Sequence, residues 1–348
     1  MKPVRTSLES VNAAFVLSKL RDNWLHFNPL QTWPGHKGAL KNAALDIGLE
    51  SKVHGDVAFY YQEGRIVGAR HALKTTLVSS VADAICQSKP RTKTVLEANG
   101  IPVPPGEIYS AEEKPAALDI VSERINTPMV FKPADGRGGS GVTTGVRTRE
   151  GAEQAWSDAS SASRSGKVIV EKEITGLDLR IFVVGGEVIA GAVRLPPFLV
   201  GDGMSSLRDL FHLLVEARLR NAYLAKHPVQ VDWQLLEEHG HHEHSVPPKD
   251  HVVFLNGTAN LSRGGVAYDV TEDLAPGILQ LATSATSAIP GMDAAGVDLL
   301  VPNLAGTEGA AVVELNAGAN VSVHEFPAFG AARPVAAAML RQMVQQHR

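Results

Sequence analysis

The sequence predicts an α+β protein, and three observations carry that prediction. Amphipathic helical stripes, such as Leu77, Val81, Ala84 and Ile85, stand beside paired strands, such as 179–184 and 187–193 joined at Gly185-Gly186. A glycine-rich stretch, Met129 to Val142 (M-V-F-K-P-A-D-G-R-G-G-S-G-V), lies between two strands, because the β-branched run after it does not open a helix. Two apolar strands near the C-terminus, 294–301 and 310–316, carry Asp298, Glu314 and Asn316.

Taken in order, residues 1–74 read as a short N-terminal α/β lobe. It has helical stretches at 8–25 and 39–49 and a hairpin, 57–61 with 65–69, turning at Glu63-Gly64. Trp33-Pro34-Gly35 marks a loop. A helix over 75–87 follows, and Ser88-Lys89-Pro90-Arg91-Thr92-Lys93 breaks it and starts another that stops at Gly100. Lysines on a helix are by default a solvated face, yet Lys89 stands just ahead of the glycine stretch. Beyond that stretch come a helix at 149–162, a strand at 167–173, the paired strands bearing Arg180 and Arg194, and a leucine-rich helix at 205–225. An arginine within an apolar strand implies either a structural ion pair or an anionic ligand. Residues 256–270 form a second glycine-punctuated loop with Asn260, Ser262 and Arg263. Thr271 is placed as the N-cap of a helix reaching Ala288. The chain closes on an amphipathic helix at 331–345.

Composition sets the outer limits. The chain has 348 residues, 44% hydrophobic and 20% charged, which is enough to bury the cores of two or three lobes. A net charge of −4 argues against nucleic acid or an anionic membrane surface as partner. With no apolar run of signal or membrane-spanning length, the expected location is cytoplasmic. The single cysteine, Cys86, lies in an apolar helical pattern and reads as a structural thiol. His239, His241, His242, His244 and His251 fit no zinc spacing, and a solvated loop is the favoured reading.

The chemistry concentrates in two places. Glycines at 136, 138, 139 and 141 let backbone N–H groups approach an anion, with Lys132 at the strand end and Arg137 and Ser140 at the tip. Alone, this stretch fits a lid over a polyphosphate and a hairpin with a loose tip equally well. Glu314 and Asn316, two apart on a strand, share one face about 6.6 Å apart along it, a spacing suited to oxygen ligands of a hard cation. The flanks of Asp298 and Glu314 are too apolar for an open edge, and an antiparallel neighbour would bring the two carboxylates side by side.

The ordered set resembles the ATP-grasp superfamily. It comprises the lysine helix, G-I-P-V-P, F-K-P with its glycine lid, V-I-V-E-K-E-I-T-G-L-D-L-R, G-V-D-L-L-V and V-V-E-L-N-A. Gly201-Asp202-Gly203 and A-N-L-S-R-G-G-V-A-Y-D-V-T look specifically like the ATP-grasp region of cyanophycin synthetase and of glutamate-cysteine/glutathione ligases. The resemblance spans about residues 74–340 and implies an ATP-grasp fold, with the nucleotide held between two α+β lobes. It implies an ATP-grasp domain over 75–348, with a lid at about 128–175 and a metal and substrate lobe at about 176–348.

The resemblance also implies roles. Lys89, Lys132, Gly138, Gly139 and Ser140 would meet the nucleotide phosphates, Glu171 and Ile174 the adenine, and Asp178 the ribose. Asp298, Glu314 and Asn316 would bind two Mg2+ ions, with Mn2+ as a substitute. Arg180 and Arg194 would steady the transferred phosphoryl group, and Asn260, Ser262 and Arg263 the carboxylate substrate. The implied reaction is an ATP-dependent carboxylate–amine ligation through an acyl phosphate, on amino-acid or peptide substrates. A small-molecule kinase and a non-catalytic nucleotide-binding subunit are the alternatives, and a homodimer is left open.

Two departures stand out. Asn316-Ala317-Gly318-Ala319-Asn320 lacks the family's proline–glycine turn, although His324 and Pro327 remain. The first lobe is also shorter than that of cyanophycin synthetase, and no Mur-ligase-like half follows, so no second, arginine-adding reaction is expected.

Overall fold

A computed structural model describes residues 7–123, 127–136 and 139–347. The first lobe holds α1 (Ser7–Lys19), α2 (Gly35–Asp46) and a four-stranded antiparallel sheet, β1 (Glu50–His54), β2 (Val57–Gln62), β3 (Arg65–His71) and β4 (Lys74–Thr75). The expected hairpin is β2–β3, and β1 was not anticipated: most of its residues are exposed and polar, so it has no apolar alternation to find.

Two short helices, α3 (Ser80–Cys86) and α4 (Lys89–Ala98), lead to a second sheet in the order β5-β8-β6-β7. Its parts are β5 (Gly106–Tyr109), α5 (Lys114–Glu123), β6 (Met129–Pro133), β7 (Thr143–Val146), α6 (Arg149–Ala162) and β8 (Val168–Lys172). Alternation sorts its two faces. Met129, Phe131, Val168 and Val170 point into a core with Leu118 and Val121 of α5 and Trp156 of α6. The intervening Lys132, Ile169 and Glu171 face the opposite way and line a small cavity.

The remaining elements are β9 (Leu177–Val184), β10 (Glu187–Leu195), β11 (Phe198–Val200), α7 (Leu207–Leu219), α8 (Ala222–Ala225), α9 (Trp233–Glu238), β12 (Val252–Phe254), β13 (Val266–Asp269), α10 (Pro276–Ser287), β14 (Ala294–Val301), β15 (Ala311–Asn316), α11 (Ser322–Glu325) and α12 (Val335–Gln346). Five of the strands form an antiparallel sheet in the order β13-β10-β9-β14-β15, while β11 and β12 pair separately.

The faces of the five-stranded sheet decide where a site can lie. On one face Leu179, Ile181, Val183, Val193, Leu195, Val297 and Leu299 pack under α10 and α1. On the other, Phe182, Val184 and Ala294 are sealed by α12 and by Leu40 and Tyr60 of the first lobe. The rest of that second face carries Asp178, Arg180, Arg194, Asp298, Glu314 and Asn316. Half of one sheet face is therefore apolar and sealed, and half is ionic.

Several helix boundaries differ from the sequence reading. The stretch expected over 8–25 is helical only as far as Lys19, and the helices expected at 39–49 and 331–345 run over Gly35–Asp46 and Val335–Gln346. Three others differ for a visible reason. The helix expected over 75–87 begins at Ser80, because the Ser79 hydroxyl caps it by accepting from the Ala82 N–H at 3.1 Å, and Thr75 closes a strand instead. The stretch 205–225 is two helices: buried Asn221 accepts from the Tyr223 and Leu224 N–H groups and donates to the Asn28 carbonyl at 2.7 Å. Thr271 does not cap a long helix. Its hydroxyl bonds Asp269 at 2.5 Å, a 3-10 turn follows, and α10 starts at Pro276, where the missing N–H costs nothing. Among the described residues no helix is long and apolar enough to cross a membrane.

Candidate active site

The ionic half-face is built around Asp298. It stands directly opposite Glu314 on β15 and Arg180 on β9, as the antiparallel register requires. Arg180 grips it in a fork: Nε donates to Oδ1, and Nη2 donates to Oδ2 at 2.9 Å. Arg194 adds Nη2 to Oδ2 at 3.3 Å, and also holds Asp178 with Nη2 to Oδ1 at 2.5 Å. Burial alone would raise the Asp298 carboxyl, but the two guanidiniums outweigh it and hold it below the usual carboxylate range. Both oxygens of Asp298 are thus already engaged, and Asp178 is half-buried against Arg194. Glu314 differs. Its side chain is 33% exposed and its cationic neighbour is Lys89, at 3.9 Å. Asn316 turns its Nδ2 toward Asp298 at 3.4 Å.

Facing this surface is the cleft side of the second sheet. Ser88 caps α4, which puts Lys89 in its first turn. Lys89 Nζ donates to the Gly136 carbonyl at 2.8 Å, so one ammonium joins the start of the glycine loop to Glu314. Lys132 and Glu171 are buried and form an ion pair across β6 and β8. Lys93, read from sequence as a solvated lysine, donates instead to the Pro104 and Gly106 carbonyls at 2.8 and 2.9 Å, and burial lowers its pKa. These groups, with Leu96, Val103 and Val312, line a cavity of about 20 Å³. That is room for one water, so any larger ligand needs the two sheets to separate.

The glycine loop joins two strands, as expected. Gly138 and Arg137 lie outside the described residues. Gly139 and Ser140 are exposed, and Ile174 is half-buried in the connection from β8 to β9. Gly139 has φ +76° with open space at its Cβ position. At Gly141 (φ +69°) a Cβ would lie 2.6 Å from Ala162 Cβ and 2.8 Å from the Asp158 carbonyl, so the loop is laid against α6 at a distance only glycine allows.

Asn260, Ser262 and Arg263 form a 3-10 turn. Asn260 accepts from the Ser262 N–H and hydroxyl at 3.0 and 2.9 Å, and Arg263 donates to Gln230 at 3.1 Å. Leu261 of this turn packs with Ala192, Ala267 and Val323, which places the turn beside the arginine row.

Several neighbours of the site, His324 apart, had no sequence signal beyond a loop or a lone residue. Trp33 donates Nε1 to the Ser322 hydroxyl at 3.2 Å, and His36 Nδ1 lies 2.9 Å from that same hydroxyl. The Trp33 ring also meets the rings of Tyr223 at 5.0 Å and His227 at 5.8 Å. The Tyr223 hydroxyl accepts from Asn320 at 3.4 Å. His324 is 1% exposed and neither ring nitrogen has a partner; burial, reinforced by Arg180 and Arg194, pushes it down to about 3.

Arg218 is 3% exposed, with Nη2 on the His227 carbonyl at 2.8 Å, Nη1 unpartnered, and its pKa pushed down to about 10 by burial. Its place in the last turn of α7 lets the helix dipole offset about 0.3–1 kcal/mol. A buried unpaired ion costs several kcal/mol, so the dipole does not account for it.

Cys86 is half-buried, and desolvation pushes its thiol up to about 12, which suits a neutral packing group. In the histidine loop the rings of His241 and His251 stand 5.7 Å apart. Among the described residues no group of three or more His, Cys, Asp or Glu side chains is arranged to hold a metal ion.

Residues 88–180 match the family model of the carbamoyl-phosphate synthase L chain, ATP binding domain. Over 267 residues the chain is 36% identical to cyanophycin synthetase of Trichormus variabilis, covering 72% of this chain and 28% of that protein. Over 293 residues it is 30% identical to the glutathione biosynthesis bifunctional protein GshAB of Pasteurella multocida, covering 80% and 37%. The crystal structure of a bifunctional glutathione synthetase from Pasteurella multocida aligns with a TM-score of 0.64 at 25% identity, covering 89% of this chain and 44% of that chain. The chain thus spans less than half the length of each of these relatives.

Proposed function

We propose, from the premise that the chain carries an ATP-grasp domain homologous to those of cyanophycin synthetase and GshAB, that it is an ATP-dependent carboxylate–amine ligase acting on amino acids or peptides. One observation carries the reading: Lys89 Nζ lies 2.8 Å from the Gly136 carbonyl and 3.9 Å from Glu314. Three segments far apart in sequence thereby meet at one cleft, where a triphosphate would find lysines on one wall and carboxylates on the other.

In this reading a substrate carboxylate attacks the γ-phosphate of ATP, giving ADP and an acyl phosphate, and an amine then displaces phosphate to form an amide. Such chemistry needs positioning and charge neutralisation more than a catalytic triad. Lys89 and Lys132 take the phosphates, with Lys132 exchanging Glu171 for the nucleotide. Glu171 and Ile174 border the adenine and Asp178 the ribose. Arg180 and Arg194, fixed by Asp298 and Asp178, present a rigid cationic surface to the transferred phosphoryl group. Asn260, Ser262 and Arg263 border the carboxylate substrate.

Glu314, with no guanidinium on it, and Asn316 offer hard oxygen donors on one face, and Asp298 stands beside them. This donor set fits magnesium, which takes one or two carboxylates and completes its shell with phosphate oxygens and water. Bound there, magnesium would neutralise phosphate charge.

The test is to incubate the protein with ATP, magnesium and pairs of amino acids and dipeptides, reading ADP, phosphate and product mass. ADP with free phosphate, dependent on an amine, is expected. A stable phosphorylated product without amine dependence would instead assign a kinase.

The glycine stretch acts in this reading as a lid that shuts water away from the acyl phosphate. Gly141→Ala is expected to lower kcat about tenfold, equivalent to about 1.4 kcal/mol, because the added Cβ pushes the loop off α6. Gly139→Ala, with open space around it, is expected to slow turnover less. Equal rates for Gly141→Ala and wild type would remove the lid role.

A further inference from the structure

Among the described residues, Arg218 is a buried cation without an anion. Arg180, Arg194 and Arg333 each hold a carboxylate, whereas Arg218 has only the His227 carbonyl and leaves Nη1 without a partner. Arg70 also lacks a carboxylate among the described residues and leaves Nε without a partner, but it lies on β3 of the first-lobe sheet, where Nη1 bonds the Ala72 carbonyl. What sets Arg218 apart is its neighbourhood. The His227 ring, on the residue whose carbonyl Arg218 holds, lies 4.9 Å from Tyr223 and 5.8 Å from Trp33. Tyr223 in turn receives Asn320, four residues beyond Asn316. The rings of His227, Trp33 and Tyr223 therefore stand in contact between the residue that Arg218 holds and Asn320.

We propose that Arg218 anchors a carboxylate of one of the two substrates, and that the half-buried rings of Trp33 and His227 form the wall along which the rest of that molecule lies. The ligand class rests on the ligase reading above. The physical reason is charge: a guanidinium removed from water needs an anion, and among the described residues none stands within ion-pair distance. His36 and His227 do not compete for that anion. Burial lowers both below the usual imidazole range, and the Arg218 guanidinium lowers His227 further, so Arg218 is the stronger cation of the three. The segment 226–232, whose His227 carbonyl Arg218 holds, has neither helix nor strand, and its shift would open Nη1 to a ligand. Trp33 and His36 come from the first lobe, so that lobe would take part in choosing the substrate.

The experiment compares wild type, Arg218→Met and Arg218→Lys. The probes are a panel of amino acids and dipeptides, each as the free acid and as the C-terminal amide, in the presence of a non-hydrolysable ATP analogue and magnesium. Wild type is expected to be stabilised thermally by free acids and not by the matching amides. Arg218→Met is expected to bind the acids at least tenfold more weakly, to keep the shift produced by the nucleotide analogue, and to withstand urea as well as or better than wild type. Arg218→Lys is expected to bind the acids with intermediate affinity. The proposal is overturned if no panel member distinguishes acid from amide. It is overturned equally if Arg218→Met binds acids like wild type, or if it unfolds at lower urea and Arg218→Lys restores it. Retained acid binding with no ADP from any substrate pair would sink the ligase reading and leave Arg218 standing. Turnover with unchanged KM for both substrates in Arg218→Met would do the reverse.

Discussion

Replacing Glu314 by glutamine is expected to cut ADP formation by about 10²- to 10³-fold, the range seen when one preorganised electrostatic group is removed from a reacting centre. The substitution keeps the size of the side chain, removes the charge and exchanges one acceptor oxygen for an N–H donor. Little in the folded structure depends on that charge: Glu314 is one-third exposed, and Lys89 stands 3.9 Å away while donating to the Gly136 carbonyl. At 3.9 Å the pair is long, and Lys89 keeps its bond to the Gly136 carbonyl when the charge is removed, so stability in urea should move by no more than about 1 kcal/mol. The two readouts separate the roles. A ligand or metal role gives lost turnover in a normally stable protein, whereas a merely structural role gives lost stability with turnover intact. A rate within threefold of wild type would remove Glu314 from the site.

What could be read ahead of the structure followed from local rules. Glu314 and Asn316 were placed on one face because strand period is two, and the apolar flanks of Asp298 required a partner strand. The register puts that residue opposite Glu314. For Arg180 and Arg194 the sequence allows either ion pairs or ligands, since spacing does not say which carboxylate lies across a sheet. The structure pairs them with Asp298 and Asp178. Non-local features were illegible for the same reason. Trp33 read as part of a turn, and only tertiary packing carries it to Ser322, 289 residues away. The leucine-rich pattern over 205–225 concealed the break at Asn221, because a side chain that caps one helix while bonding a distant carbonyl leaves no periodic trace. Arg218 lies within that same leucine-rich pattern, and nothing in the spacing marks it as buried.

Asp298→Asn is expected to be the most destabilising single change in the site, by about 3 kcal/mol, within the range measured when one partner of a buried ion pair is removed. Asp298 and Arg180 are each 8% exposed, and Arg194 reaches the same carboxylate. The substitution leaves two guanidiniums facing an amide that can point its own N–H groups at them. Asp178→Asn should cost less, because Asp178 is half-buried and holds Arg194 alone. The pH dependence identifies the cause. His324 sits below its ordinary 6.5 in the folded protein, so protons bind preferentially to the unfolded chain as pH drops below 6.5, and stability declines. Asp298 sits below its ordinary 3.8, so its contribution is complete above that value and is lost as pH falls further, through the folded value. In urea titrations across pH 3 to 8, Asp298→Asn should therefore be offset downward above pH 4 and converge on wild type in acid, while the His324 limb between pH 6.5 and 4 persists. An unchanged urea midpoint at pH 7 would mean that the arginines have found another counter-charge. The expected contrast is that Glu314→Gln removes activity from a stable protein and Asp298→Asn removes stability first, although the two carboxylates are opposite each other in one sheet.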